Sequence, residues 1–477
     1  MALASMPNEP SHTSRWPPAL LGISALAAFL FLWQLGSSSF FIDETSSMRL
    51  AEAPLGDLLS RLRVAENSPA GYFAALHVWT QLAGSTSEWV ARLPSGLAGI
   101  ALVPAVWWLA QTVDGRRAAL VAALLTAISP LMLQYAQQAR AYMPAMLALT
   151  LAATAAIRAA RTGSVRWAVA GAAGCALALS LHYVALVVVV PLCVWVLLRG
   201  ELALRTRLVF CLIPGVVWLA WLPLALAQRA DHPSAQLGPY GTFTAGHLVR
   251  VAAAPFDDRY TVHAGALKAA AAIALAVAVV VVLLRSRAPE RRELRLLVAL
   301  VVAPGVVLCV GALAGIEILN SRYMTFAAPF MLVIAGVAVA HSPPPLALSI
   351  LVVLVAAGVV YTAGSHRAEG YYPDVRGAID SIDSGWRDGD VVLEQSTLGV
   401  QFPLEYYAKR DLPPGTRATP LTDPAAAGLL EHGSRAWIVR DESVAPASAA
   451  APPSGYRRIA LRRFPASSDL TVELAER

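Results

Sequence analysis

Apolar residues fall in long uninterrupted runs, and polar residues cluster between them. The runs lie near 17–36, 89–112, 117–135, 142–158, 166–183, 184–198, 206–227, 263–284, 296–315, 324–340 and 346–363. Most approach the roughly 20 residues an α-helix needs to cross a hydrocarbon core of about 30 Å. The pattern therefore predicts an α-helical polytopic membrane protein with about eleven transmembrane helices. A further apolar stretch at 70–82 is only about 13 residues long, short for a crossing. The first run continues through Phe31, Leu32 and Trp33 to Gly36, longer than a cleaved signal core, so it reads as a retained helix behind a polar tail at 1–16.

Arginine placement decides the short stretch. The clusters Arg116/Arg117, Arg158/Arg161/Arg166, Arg199/Arg205/Arg207 and Arg285/Arg287/Arg291/Arg292/Arg295 all fall on one side, with the N-terminus, if 70–82 lies along the interface. If it spans, the first helix leaves its loop on the opposite side from the one the clusters imply. The tail 1–16 is then cytoplasmic and 17–364 is the transmembrane part. Its outer loops are 37–88 and 228–262, the first carrying two helices on the membrane, beginning with Thr45 to Arg63.

Composition supports this picture. Apolar residues make up 57% and charged ones 14%, with a mean hydropathy of +0.57. The net charge of +6 comes from 35 Arg and 2 Lys, mostly the short clusters between spans, so topology explains it better than nucleic-acid binding. All four cysteines lie in apolar runs and read as small buried hydrophobes. From about Ser365 the composition becomes that of a soluble domain. A helix at 374–384 and strands at 390–394, 436–439 and 458–464 predict a small extracytoplasmic α/β domain over 365–477.

On this topology every polar constellation faces outward. They are Asp43-Glu44, Glu66 to Pro69, Tyr135 to Tyr142, His182-Tyr183, the loop 228–260 and Glu317 to Tyr323. The cytoplasmic loops are short and Arg-dominated, with no nucleotide-binding glycine pattern. An outward-facing site using a non-nucleotide donor follows.

The order of motifs then carries a resemblance. Phe41-Ile42-Asp43-Glu44 after the first span, Ser68-Pro69-Ala70-Gly71-Tyr72-Phe73, Ala91-Arg92-Leu93-Pro94-Ser95, Ser129-Pro130 with Gln137 to Tyr142, and Asn320-Ser321-Arg322-Tyr323 resemble the bacterial GT-C glycosyltransferases related to protein mannosyltransferases and aminoarabinose transferases. Such enzymes transfer a sugar, with inversion, from a polyprenyl-phosphate carrier to an acceptor on the outer membrane face. The resemblance implies mannose or a similar sugar, and an envelope lipid, polysaccharide or protein as acceptor. It places the base at Asp43, with Glu44 positioning it or binding a cation.

The chemistry agrees. A lipid phosphate leaves as an anion, so it needs guanidinium groups rather than a general acid, and one base suffices for the acceptor hydroxyl. Arg140 and Arg322, each at an apolar boundary near a tyrosine (Tyr142, Tyr323), are the expected phosphate ligands, although long basic side chains also snorkel there. The two tyrosines could bind phosphate or sugar, or belong to the interfacial aromatic belt. Asp43 could instead cap the helix that follows. Glu66, Arg92 and His182 are further substrate-binding candidates, with solvation, anchoring and interfacial placement as their alternatives. Relatives carry His-Pro-Pro or Lys-Pro where this chain has Asn67-Ser68-Pro69. No local spacing demands a metal, and a divalent cation held by distant loops stays open. A transporter or flippase of lipid-linked sugars is the alternative class, but no inverted repeat is evident and the polar groups gather at one face, not mid-span. A catalytically dead scaffold is the third.

Overall fold

The computed structural model describes residues 17–231, 243–257, 265–286, 291–315, 320–367, 373–433, 435–444, 451–465 and 469–477. Each of the eleven apolar runs carries a helix. The first half contains α1 (Pro18–Leu32), α2 (Ile42–Ala51), α3 (Leu58–Ala65), α4 (Gly71–Ala83), α5 (Glu88–Val113), α6 (Arg116–Ala127), α7 (Pro130–Ala136), α8 (Tyr142–Thr162) and α9 (Val165–Leu181). After it come α10 (Leu186–Leu197), α11 (Leu204–Asp231), α12 (Ala245–Ala252), α13 (Gly265–Arg285), α14 (Arg292–Leu313), α15 (Ala328–His341) and α16 (Pro344–Arg367). Among the described residues seven of these segments are long and apolar enough to cross a membrane, or eight if the bent pair α6–α7 counts as one span. The shorter apolar helices at 18–32, 165–181 and 183–197 fill the remaining predicted positions.

Local chemistry explains the irregularities. The 57° bend between α6 and α7 falls at Ser129-Pro130, where proline lacks the N–H that a continuous helix would need. Ser129 restarts the helix by accepting a hydrogen bond from the Met132 amide at 3.3 Å. The stretch expected to form one helix from Thr45 to Arg63 is instead two. α2 begins earlier, at Ile42, and the chain breaks ahead of Pro54 before a 3₁₀ turn leads into α3.

Exposure separates the inner helices from the outer ones. α15 is buried nearly all round, as a central helix must be, whereas α11 turns Leu212, Val216, Leu219 and Leu226 outward, the side chains expected to meet lipid. At Gly336 a Cβ would collide with the Ala118 carbonyl oxygen, so α15 and α6 cross with their backbones in close approach.

Beyond the bundle, α17 (Val375–Asp383), β1 (Val391–Gln395), α18 (Leu398–Asp411), β2 (Ala418–Pro420), α19 (Pro424–His432), β3 (Arg435–Asp441), β4 (Arg457–Phe464) and β5 (Leu470–Glu476) form a small α/β unit. Its sheet order is β2-β1-β3-β5-β4, with β1 parallel to both neighbours and β5 antiparallel to β3 and β4. The three expected strands and the helix are present. β2, β5, α18 and α19 were not anticipated.

Candidate active site

Asp43 and Glu44 sit in the first turn of α2, but Asp43 does not cap it. Glu44 does, accepting a hydrogen bond from the Phe41 amide at 3.1 Å. The two carboxylates diverge because neighbouring helix positions point about 100° apart. Glu44 turns inward and is fully buried. Arg92 of α5 binds it through two parallel contacts of 2.8 and 2.9 Å, and the Ala139 amide donates a further hydrogen bond at 2.9 Å. Arg92 spends its other donors on the carbonyls of Leu35, Ser38 and Ser39. Its role here is to brace the segment before α2.

Asp43 turns the other way. Its Oδ2 accepts from Arg322 Nη2 at 2.6 Å, and Arg322 Nε donates to the Tyr142 hydroxyl at 2.7 Å. Arg140, in the loop between α7 and α8, donates to the Asp43 carbonyl at 3.0 Å, to Ser47 Oγ at 3.1 Å and to Glu66 at 2.7 and 3.3 Å. Burial lowers the Arg140 pKa, but the carboxylates of Glu66 and Asp43 outweigh it and raise the value, so the charge is permanent. The structure thus brings Asp43, Glu66, Arg140, Tyr142 and Arg322 together, from segments far apart in sequence.

His182 lies beside them. Its ring packs 5.1 Å from both Tyr142 and Phe326, and its Nδ1 accepts from the Val184 amide at 3.2 Å. Burial, and then the charges of Arg140 and Arg322, push its pKa down to about 3. The imidazole is neutral, with its proton on Nε2. Tyr323 follows Arg322 in the 3₁₀ turn Ser321–Ala327 and packs partly buried against the core. Among the described residues its hydroxyl makes no hydrogen bond.

Sequence reasoning missed four residues. Ser47 was legible, because it lies one helical turn after Asp43 on the same face. Tyr135 packs at a tilt against Tyr142 with ring centroids 4.3 Å apart, and its buried hydroxyl has no partner among the described residues. Asp257 is buried between Lys268 at 2.8 Å, Arg250 at 3.1 Å and Ser321 Oγ at 2.5 Å. It therefore holds the turn that carries Arg322; Asp257 lay in the outer loop 228–260 and Ser321 in the motif Asn320 to Tyr323, but nothing in the sequence showed that the two meet. Of the outer loop 228–260, α11 runs on to Asp231 and residues 243–257 carry α12 and a 3₁₀ turn. Residues 232–242 and 258–260, and Glu317, lie outside the described residues.

The donor set does not fit a divalent cation. Asp43, Glu44 and Glu66 each already face a guanidinium, and no group of three metal-ligating side chains converges among the described residues. Guanidinium donors beside tyrosines suit a phosphate better.

Comparisons with known proteins bear on the fold that carries these residues. The family described as dolichyl-phosphate-mannose-protein mannosyltransferase matches residues 67–226. Among curated protein sequences no relative matches. The structure is similar to ArnT from Cupriavidus metallidurans bound to undecaprenyl phosphate, with a TM-score of 0.58 and 14% identity over 95% of this chain and 97% of that one. It is also similar to the oligosaccharyltransferase AglB from Archaeoglobus fulgidus in complex with an inhibitory peptide and a dolichol-phosphate, with a TM-score of 0.54 and 11% identity over 89% of this chain and 69% of that one. The chain has the GT-C fold, and the resemblance drawn from its ordered motifs is borne out.

Proposed function

We propose that the protein is an inverting glycosyltransferase that moves a sugar from a polyprenyl-phosphate carrier to an acceptor hydroxyl at the outer face of the cell membrane. Mannose is the first sugar to test, and an envelope lipid, polysaccharide or protein the acceptor. One observation carries the reading. Among the described residues three carboxylate–guanidinium pairs surround Asp43, and of these only Asp43–Arg322 is open, its side chains 32% and 31% exposed against 12% or less for the other two pairs. The matching mannosyltransferase family and the lipid phosphates in the structurally similar proteins support the donor class.

The pairing gives a sequence of events. An incoming phosphate takes over Arg322, and the Asp43 carboxylate, losing its cation, becomes more basic as the reactants assemble. The acceptor oxygen attacks the anomeric carbon while its proton passes to Asp43. The bond from that carbon to the phosphate oxygen breaks, and its electron pair leaves with the lipid phosphate, whose charge Arg322 opposes. Arg140 holds the Asp43 carbonyl and Ser47, and Glu44 with Arg92 fixes the start of α2.

The test is transfer of radiolabelled sugar from a polyprenyl-phosphate donor by the purified protein in lipid nanodiscs. Asp43→Asn is expected to lower the rate by about 10²–10⁴-fold without changing the melting temperature. A folded Asn variant that still transfers, or movement of substrate with no covalent product, overturns the reading. Mass spectrometry of envelope glycans with and without the protein then identifies sugar and acceptor.

A further inference from the structure

The segment 36–41, which leads from α1 to Asp43, has no helix or strand of its own, yet it is held from two sides. From the bundle, Arg92 takes the carbonyls of Leu35, Ser38 and Ser39 and lies over the Phe40 ring at 5.4 Å. The C-terminal unit supplies the other side. Arg376 donates to the carbonyls of Gly36 at 3.2 Å and Ser37 at 2.8 Å, and its amide donates to Ser39 Oγ at 3.0 Å. The Tyr407 hydroxyl accepts from the buried Phe40 amide at 2.7 Å and donates to Glu88 at 2.6 Å. Glu88 is in turn paired with Arg376 at 2.9 Å.

We propose, on the glycosyl-transfer reading above, that the C-terminal unit is a positioning part of the active site. Tyr407 and Arg376 set the 36–41 segment and, through it, the Asp43 carboxylate. A unit that merely docked could attach anywhere on the outer face. Here Arg376 and the Tyr407 hydroxyl reach Gly36, Ser37, Ser39 and Phe40 just ahead of the base, while Tyr406 donates to Glu52 at 2.6 Å and Glu405 pairs with Arg49 at 3.1 Å at the other end of α2, so the unit grips the helix of Asp43 from both sides. The Phe40 ring also stacks on Tyr407, with centroids 6.2 Å apart, and meets Tyr406 edge-on at 5.9 Å. Without the Tyr407 hydroxyl the Phe40 amide is a buried donor with nothing to bind, and the segment must shift to satisfy it. A shift of about 1 Å in a catalytic group can cost up to ~10²-fold in rate.

The test is Tyr407→Phe in the full-length protein, which removes the hydroxyl and keeps the ring. Hydrogen exchange in nanodiscs is expected to be about 5-fold faster in the peptide spanning 36–45 and unchanged in α8 and α15. In sugar transfer, kcat per folded molecule, with the folded fraction counted from the melting curve, is expected to fall about 10-fold with the donor KM unchanged, whereas general destabilisation lowers only the folded fraction. Arg376→Gln, which frees the Gly36 and Ser37 carbonyls, is expected to do the same and serves if the first variant does not fold. Unchanged exchange at 36–45 overturns the proposal, as does faster exchange with an unchanged kcat. If the wild-type protein transfers no sugar, the glycosyl-transfer reading falls, and the exchange measurement alone decides whether Tyr407 holds the segment.

Discussion

Asp43 and Glu44 are adjacent in sequence and opposite in situation. One meets Arg322 at a half-open position, and the other is sealed against Arg92. His182 shows how the same surroundings act on a titratable group. Its pKa of about 3 lies below the ordinary value near 6.5, so between those limits the unfolded chain binds a proton that the folded chain does not. Stability contributed by neutral His182 is complete above about pH 6.5 and is lost as the pH falls towards 3. Thermal melts of the solubilised protein should therefore show a melting temperature that drops from pH 6.5 to 4, with a shallower drop in His182→Gln. The sequence carried part of this site openly. Arg140 and Arg322 stood out as charges at the ends of apolar runs, and the structure brings both to Asp43. The Arg92–Glu44 pair was hidden because its partners lie 48 positions apart, and nothing local distinguishes a bracing arginine from a ligand.

At the scale of elements, length and apolarity revealed which segments are helical, because a crossing helix must satisfy its own backbone and show an apolar surface throughout. They could not reveal which helices touch. Gly336 is one glycine among many in the sequence, and only packing shows that its missing Cβ lets α15 lie against Ala118 of α6. Gly336→Leu should force these helices apart and lower stability by about 2 kcal/mol. Gly22→Leu on α1, with nothing within 4 Å of its Cβ position, should be close to neutral. Chemical denaturation of the two variants measures the difference. The division of the expected Thr45–Arg63 helix has a similar cause. Its apolar spacing runs through Pro54, but the proline cannot supply the backbone donor that a continuous helix requires. α18 was overlooked for a different reason. It is a short soluble helix with a proline inside, and its two tyrosines show their purpose only when set against Phe40, more than 360 residues away.

The molecule as a whole combines a membrane bundle of the GT-C fold with an α/β unit that reaches back to the start of α2. Between them the site draws its side chains from the first loop, the turn after α7, His182 and the turn before α15. Among the described residues the three carboxylate–guanidinium pairs around Asp43 cancel one another, and the neutral His182 adds none. Charges paired in this way have little long-range field with which to draw an anion out of the water. The lipid-anchored donor proposed above does not need one, since it arrives by sliding within the plane of the bilayer. Raising the salt from roughly 0.02 to 0.5 M, which shortens electrostatic reach from about 20 Å to about 4 Å, should shift the donor KM by less than about twofold in a transfer assay. Encounter would then be governed by how crowded and how fluid the surrounding membrane is, making the composition of the bilayer, rather than that of the bathing solution, the control on turnover.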